Sequence, residues 1–134
     1  MKTTQGKNVE LYDELEAGNT VVMVFWASWC QFCHKLLPAI QENSQSVGKL
    51  AEQVKVYTLN IWENADPEMY FKREGLNLPM IIEADSLARR YKVRATPGVI
   101  VVAPDKSMQR IKRRGRSTER LLKKIRAAVG DDLL

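Results

Sequence analysis

Residues Thr20 to Trp26, T-V-V-M-V-F-W, form an apolar run of β-branched and aromatic side chains that ends at Ala27-Ser28. A run of this length, bounded by a change of periodicity, reads as a buried strand. Its apolar residues do not alternate with polar ones, which places it at the centre of a sheet covered on both faces. Trp29, Cys30 and Cys33 follow, and then a helix-like pattern from about Cys30 to Leu50 carries Leu36, Ile40, Val47 and Leu50, with Pro38 inside it. The two cysteines therefore fall at the N-terminus of a helix fed by a central strand.

That position bears on thiol chemistry. A helix start offers unpaired backbone N–H groups and the positive end of the helix dipole, both of which favour a thiolate over a thiol. Two intervening residues let one turn of helix bring the sulfurs together as a reversible disulfide. A C-x-x-C beside a βαβ pattern is the sequence signal of a thiol redox site. Two other readings use the same residues. With His34 as a third ligand the pair would be most of a zinc site, but the chain has two cysteines and one histidine, so a carboxylate or a partner would have to complete it. The cysteines could also be inert core residues.

Along the rest of the chain, Met1 to Lys7 reads as a flexible arm and Val9 to Ala17 as a short amphipathic helix stopped by Gly18-Asn19. Val54 to Asn60 is a second strand. The 37 steps from Asn60 to Pro97 exceed one helical crossover, which needs about a dozen residues. An additional α-β unit fills them: a helix opened by Asp66-Pro67 and ending near Gly75, a short strand Leu78 to Glu83, and a helix capped by Asp85 or Ser86. Gly98 to Ala103 is an apolar strand, Pro104-Asp105-Lys106 a turn, and Ser107 to Arg114 a polar edge strand. Ser117 caps a last helix with Leu121, Leu122, Ile125, Ala128 and Val129 on one face. The order α-β-α-β-α-β-α-β-β-α predicts a mixed sheet with helices on both faces.

A length of 134 residues fits one domain, with a core large enough to need no cross-links. No apolar run approaches the eighteen or so residues of a membrane span. Met1 to Gly18 is polar and shows no signal peptide, which fits equally a chain that begins after a removed leader or anchor and a cytoplasmic protein. The net charge of +5 is uneven: residues 89–126 hold 14 basic and 2 acidic side chains. Such a segment suits an anionic membrane surface, an acidic partner or nucleic acid, or simply a solvated face that protects a sheet edge.

The stretch Phe25-Trp26-Ala27-Ser28-Trp29-Cys30-x-x-Cys33, with Pro38 five residues beyond, resembles the active-site segment of the thioredoxin superfamily. Ala95-Thr96-Pro97 before the apolar strand G-V-I-V-V resembles its second signature. The inserted α-β unit, and above all L-P-M-I-I-E-A-D-S-L-A-R-R-Y-K-V-R-A-T-P, resembles the TlpA/ResA-like branch of mostly bacterial, extracytoplasmic thiol–disulfide oxidoreductases. The N-terminal hairpin common in that branch is not visible in Met1 to Lys7.

The resemblance implies an α/β, thioredoxin-like fold whose inserted unit precedes a cis-proline strand. It assigns Cys30 as nucleophile and Cys33 as the resolving thiol, with Pro97 in the cis form holding the Thr96 backbone beside the sulfurs, and Trp29 shaping the docking surface. Gln31 and Phe32, between the cysteines, would tune the thiols, and His34 would stabilise a thiolate if charged. Two family acids are missing: Val24 occupies the usual buried-aspartate position, and Leu36 the branch's glutamate position. Glu83 or Asp85, near the inserted strand, is a candidate to replace them as proton shuttle, or an acid that simply faces water. The implied partners are protein thiols or disulfides and a thiol electron donor. No cofactor beyond the Cys30–Cys33 disulfide, no metal and no nucleic acid are expected, and the chain would be monomeric, with membrane proximity through an anchor outside it. The implied activity is a reductase. The alternatives are a disulfide-forming oxidant and a redox-inactive binding module. A peroxidase of this fold usually carries T-x-x-C, which Ala27-Ser28-Trp29-Cys30 does not match.

Overall fold

The computed structural model describes residues 1–45, 53–112, 115 and 117–130. The elements run α1 (Leu11–Glu16), β1 (Thr20–Trp26), α2 (Gln31–Gln45), β2 (Val54–Asn60), α3 (Pro67–Glu74), β3 (Met80–Ile81), α4 (Asp85–Arg90), β4 (Gly98–Val102), β5 (Met108–Ile111) and α5 (Thr118–Val129). The sheet has the order β3-β2-β1-β4-β5. β1 is central: it runs parallel to β2, with Trp26 opposite Asn60, and antiparallel to β4, with Phe25 opposite Gly98.

Both faces of β1 are covered, which is why its sequence carries no alternation. Val22, Val24 and Trp26 face a core completed by Leu36, Leu37 and Ile40 of α2, Tyr70 and Phe71 of α3, and Leu121, Ile125 and Val129 of α5. Val21, Met23 and Phe25 face a second core with Leu11 and Leu15 of α1 and Ala88 of α4. Side chains that alternate across a strand thus serve two separate apolar layers. Local signals match the expected stops and starts. Asp66 caps α3 by accepting from Met69 N at 3.0 Å, with Pro67 in the first turn and Gly75 at φ 67° closing the helix. Ser117 caps α5 through Arg120 N.

Several expectations are corrected. The arm Met1 to Lys7 is a small hairpin rather than a loose segment. Lys2 and Asn8 form an antiparallel bridge, Thr3 is buried and accepts from Lys7 N, and Thr4 N donates to Met80 O on the β3 edge. These bonds are made by backbone and one hydroxyl, so no apolar alternation announces them. β3 is only two residues long; it pairs with β2, where Thr58 N donates to Pro79 O, and its other edge receives Thr4 N at Met80 O. β5 spans four residues; Arg113 and Arg114 lie outside the described residues. So do Val47 and Leu50, expected to continue α2. α4 has no side-chain cap: its N-cap position falls on Ala84, which has no acceptor, and Asp85 is already inside the first turn.

Candidate active site

β1 and β2 run parallel and end together at Trp26 and Asn60, so the loops leaving them share one end of the sheet. The first of these loops delivers Cys30 to the start of α2. Cys30 N donates to Ala27 O at 3.1 Å, and Cys33 N donates to the Cys30 Sγ at 3.3 Å. The Cys30 sulfur thus takes the place of an N-cap oxygen, accepting an amide that the helix itself leaves unpaired. Cys33 lies one turn in and is fully buried, while Cys30 keeps 6 % of its surface. Both are free thiols.

The two thiols are driven apart. The hydrogen bond from the Cys33 thiol is the largest influence on Cys30. Burial opposes it, and the Thr96 hydroxyl and the amides of Cys33 and Phe32 reinforce it, taking the Cys30 thiol from 9.0 down to about 6. The same bond pushes Cys33 strongly upward, helped by burial and by the charge on Cys30. At neutral pH the pair therefore holds one proton, and it sits on Cys33.

Thr96 lies across from the motif. Its hydroxyl acts on both thiols, favouring the ionised form of each, and the Thr96–Pro97 peptide is cis. The resemblance implied a role for the Thr96 backbone; the influence seen on the thiols is that of its side chain. Gly98 follows at the point where chains crowd, and a Cβ there would lie 2.9 Å from Val93 Cγ1 and 3.3 Å from Ala95 O.

Trp29 is 47 % exposed, and its indole N–H donates to Trp62 O at 2.8 Å. Trp62 has a left-handed backbone (φ 49°), and its own N–H donates to Asp85 Oδ1 at 2.8 Å. Trp29, next to Cys30 in the chain, is thus tied to a second surface tryptophan. Gln31 is exposed, and Phe32 packs partly against the core. His34 does not reach either sulfur. Its Nε2 lies 2.6 Å from Ser28 O, which can only accept, so that nitrogen carries a proton. Its ring stacks on Tyr70 at 5.0 Å.

Neither expected acid bonds a thiol. Glu83 is exposed at φ 55°, Asp85 is bound to Trp62, and no carboxylate among the described residues hydrogen-bonds either sulfur. The loop 83–85 is held at the same end of the sheet, with Ala84 N on Asn60 O, but the Asp85 carboxylate is taken up by the Trp62 amide and Glu83 points to solvent. The carboxylate that does meet the motif loop is Glu63, which the sequence reading missed. It accepts from Ser28 N at 3.0 Å, the Ser28 hydroxyl, Asn60 Nδ2 at 2.7 Å, Asn64 N and Ala65 N. Burial works against its ionisation, but these bonds prevail and hold its carboxyl below the usual range. Its signal was an acid just past the C-terminal end of a parallel strand, where sites in α/β sheets gather. Among the described residues, no three His, Cys, Asp or Glu side chains are grouped to hold a metal, and no helix is long and apolar enough to cross a membrane.

A mixed sheet whose central strand feeds a C-x-x-C at a helix start, opposite a cis X-Pro turn, defines the thioredoxin-like class. Within it, the chain belongs to the AhpC/TSA family, whose model matches residues 1–111. It is 25 % identical over 107 residues to the thiol-disulfide oxidoreductase ResA of Bacillus subtilis, covering 78 % of this chain and 58 % of ResA. Among solved structures, StoA of Bacillus subtilis superposes with a TM-score of 0.73 at 23 % identity, covering 93 % of each chain. A secreted disulfide oxidoreductase of Mycobacterium tuberculosis gives 0.70 at 20 % identity, covering 94 % of this chain and 92 % of that one. The chain thus spans under two-thirds of the length of the relative matched by sequence.

Proposed function

We propose that this protein is a thiol–disulfide oxidoreductase that exchanges disulfides with protein partners, acting as a reductase outside the cytoplasm. The observation that carries the reading is the split between the two thiols. Cys30 is ionised near pH 7 and retains the pair's accessible surface, while Cys33 keeps its proton in the core. The Cys30 thiolate attacks one sulfur of a partner disulfide; the S–S bond breaks, and the departing partner sulfur leaves as a thiolate and takes a proton from water. A mixed disulfide joins Cys30 to the partner. Once the charge on Cys30 is gone, what opposed the ionisation of Cys33 is reduced to burial. Cys33 then gives its proton to water and its thiolate attacks Cys30 Sγ; the Cys30–partner S–S bond breaks, the Cys30–Cys33 disulfide forms, and the partner's sulfur leaves as a thiolate that is protonated by solvent. A thiol electron donor resets the pair. Trp29 and Trp62 supply an apolar rim, and Thr96 and Pro97 a wall, for the segment that carries the partner cysteine. The extracytoplasmic assignment rests on the likeness to a protein described as secreted.

The lowered thiol also favours a second reading. Stabilising the reduced form makes a disulfide more oxidising, and a value of about 6 lies between about 7 for thioredoxin and about 3.5 for the strong oxidant DsbA. Reduction of insulin by the purified protein with a dithiol donor tests the proposal, and turnover unchanged in Cys30→Ser would reject it. Equilibration with glutathione decides direction: a potential near that of thioredoxin supports the reductase, and one near that of DsbA the oxidant.

A further inference from the structure

We infer that the partner's reacting segment is acidic, and that it docks in a basic groove running from the cis-proline turn to the β5 edge; this deepens the proposed function and rests on it. The groove has a volume of about 400 Å³. Its floor is apolar, with Val93, Pro97 and Ile111 buried, and its rim carries Arg94, Arg110 and Lys112, all exposed. No aspartate or glutamate lines it. Among the described residues none of these three cations lies within 4.0 Å of a carboxylate. Arg110 is fixed in place all the same: its guanidinium donates to Tyr91 O at 2.5 Å and Lys92 O at 2.7 Å. Neutral carbonyls orient that charge without cancelling it.

Location ties the groove to the chemistry. Pro97 lines it, and the residue joined to Pro97 by the cis peptide, Thr96, is the one whose hydroxyl acts on both thiols. A chain whose cysteine reaches Cys30 past Thr96 continues into this groove. An extended segment with Asp or Glu beside its cysteine would place apolar backbone and stems on the floor and carboxylates against three uncompensated cations. The segment 89–126, with 14 basic and 2 acidic side chains, extends the same field and would steer an acidic partner towards the site.

The test uses a labelled peptide with aspartates on both sides of a central serine in place of cysteine, so that fluorescence anisotropy reads docking without thiol exchange. The same peptide with lysines for aspartates is the control. The acidic peptide should bind and the basic one should not, with affinity falling as salt rises. Arg94→Glu/Lys112→Glu should weaken binding about tenfold, from two surface pairs each worth a few-fold. Reaction of that double variant with uncharged hydroxyethyl disulfide should equal wild type, because neither residue touches the thiols. Equal binding of the two peptides overturns the inference, as does binding indifferent to the double substitution. A single-stranded DNA oligomer that binds as well as the acidic peptide, with the same sensitivity to the double variant, also overturns it, since that is general attraction of polyanions. Failure of hydroxyethyl disulfide to react with wild type would sink the redox reading instead and leave the anisotropy result to decide the groove.

Discussion

Replacing Cys33 separates the influences that ionise Cys30. With a pKa of about 6 rather than 9.0, Cys30 is about nine-tenths thiolate at pH 7 instead of about one-hundredth. The gain in rate is smaller than this, because a less basic thiolate is a weaker nucleophile. With a Brønsted slope of about 0.45, three units cost about twentyfold, leaving a net advantage of about fourfold at pH 7. The hydrogen bond from the Cys33 thiol is the largest contribution. Cys33→Ala removes it but leaves the Thr96 hydroxyl and the amides of Phe32 and Cys33. Cys33→Ser keeps an O–H donor in the same place. The rate of alkylation by iodoacetamide against pH should therefore have its midpoint near 6 in the serine variant, and about one unit or more higher in the alanine variant. Since one unit is about 1.4 kcal/mol of preference for the thiolate, the two profiles are easily resolved. Coincident midpoints would refute the account, for they would mean that the backbone and Thr96 alone hold the charge. The same shift acts on stability. A thiol lowered on folding adds stability in full above pH 9, and loses it as pH falls through about 6. Reduced wild type should thus gain stability from pH 6 to pH 9, and the alanine variant should gain less over that window.

Glu63→Gln puts an amide NH₂ among donors that now share a carboxylate, and should lower stability to urea by about 2 kcal/mol at pH 7. Because folding lowers this carboxyl, the gap to wild type should persist down to about pH 4.5 and close below it; a gap unchanged in acid would count against the ionised clasp. Lys92 sits at φ 58° just past α4, in the αL position that Gly75 occupies after α3. Lys92→Gly should therefore raise the midpoint of urea unfolding, by about 0.5–1 kcal/mol in stability, and no gain would show that the turn is unstrained. Gly98→Ala should destabilise by about 1–3 kcal/mol, since the new methyl meets buried Val93 and the Ala95 carbonyl; thermal unfolding at the wild-type temperature would show that the 93–95 loop yields freely.

What the sequence determined was set by local chemistry. The unbroken apolar run of β1 requires two covered faces, and it has two cores. Asp66-Pro67, Gly75 and Ser117 mark helix ends through their own side chains or backbone freedom, and the structure ends the helices there. Cys30 and Cys33 are close because three residues make nearly one helical turn, whatever surrounds them.

The rest required the chain to close on itself. Thr96 is 66 residues from Cys30, yet its hydroxyl acts on both thiols because β4 lies antiparallel beside β1. Glu63 reads as one more acid after a strand until the paired ends of β1 and β2 bring it to Ser28. Asp85 also reads as one more acid after a strand, but the fold spends its carboxylate on the Trp62 amide, while Ala84 and Ala88 beside it pack into the second core. The hairpin at residues 1–8 is held by backbone pairing against β3, a partner some 75 residues away. Periodicity records which face of an element is buried. Hydrogen bonds between distant segments depend on where the sheet places their ends, and no local pattern encodes that.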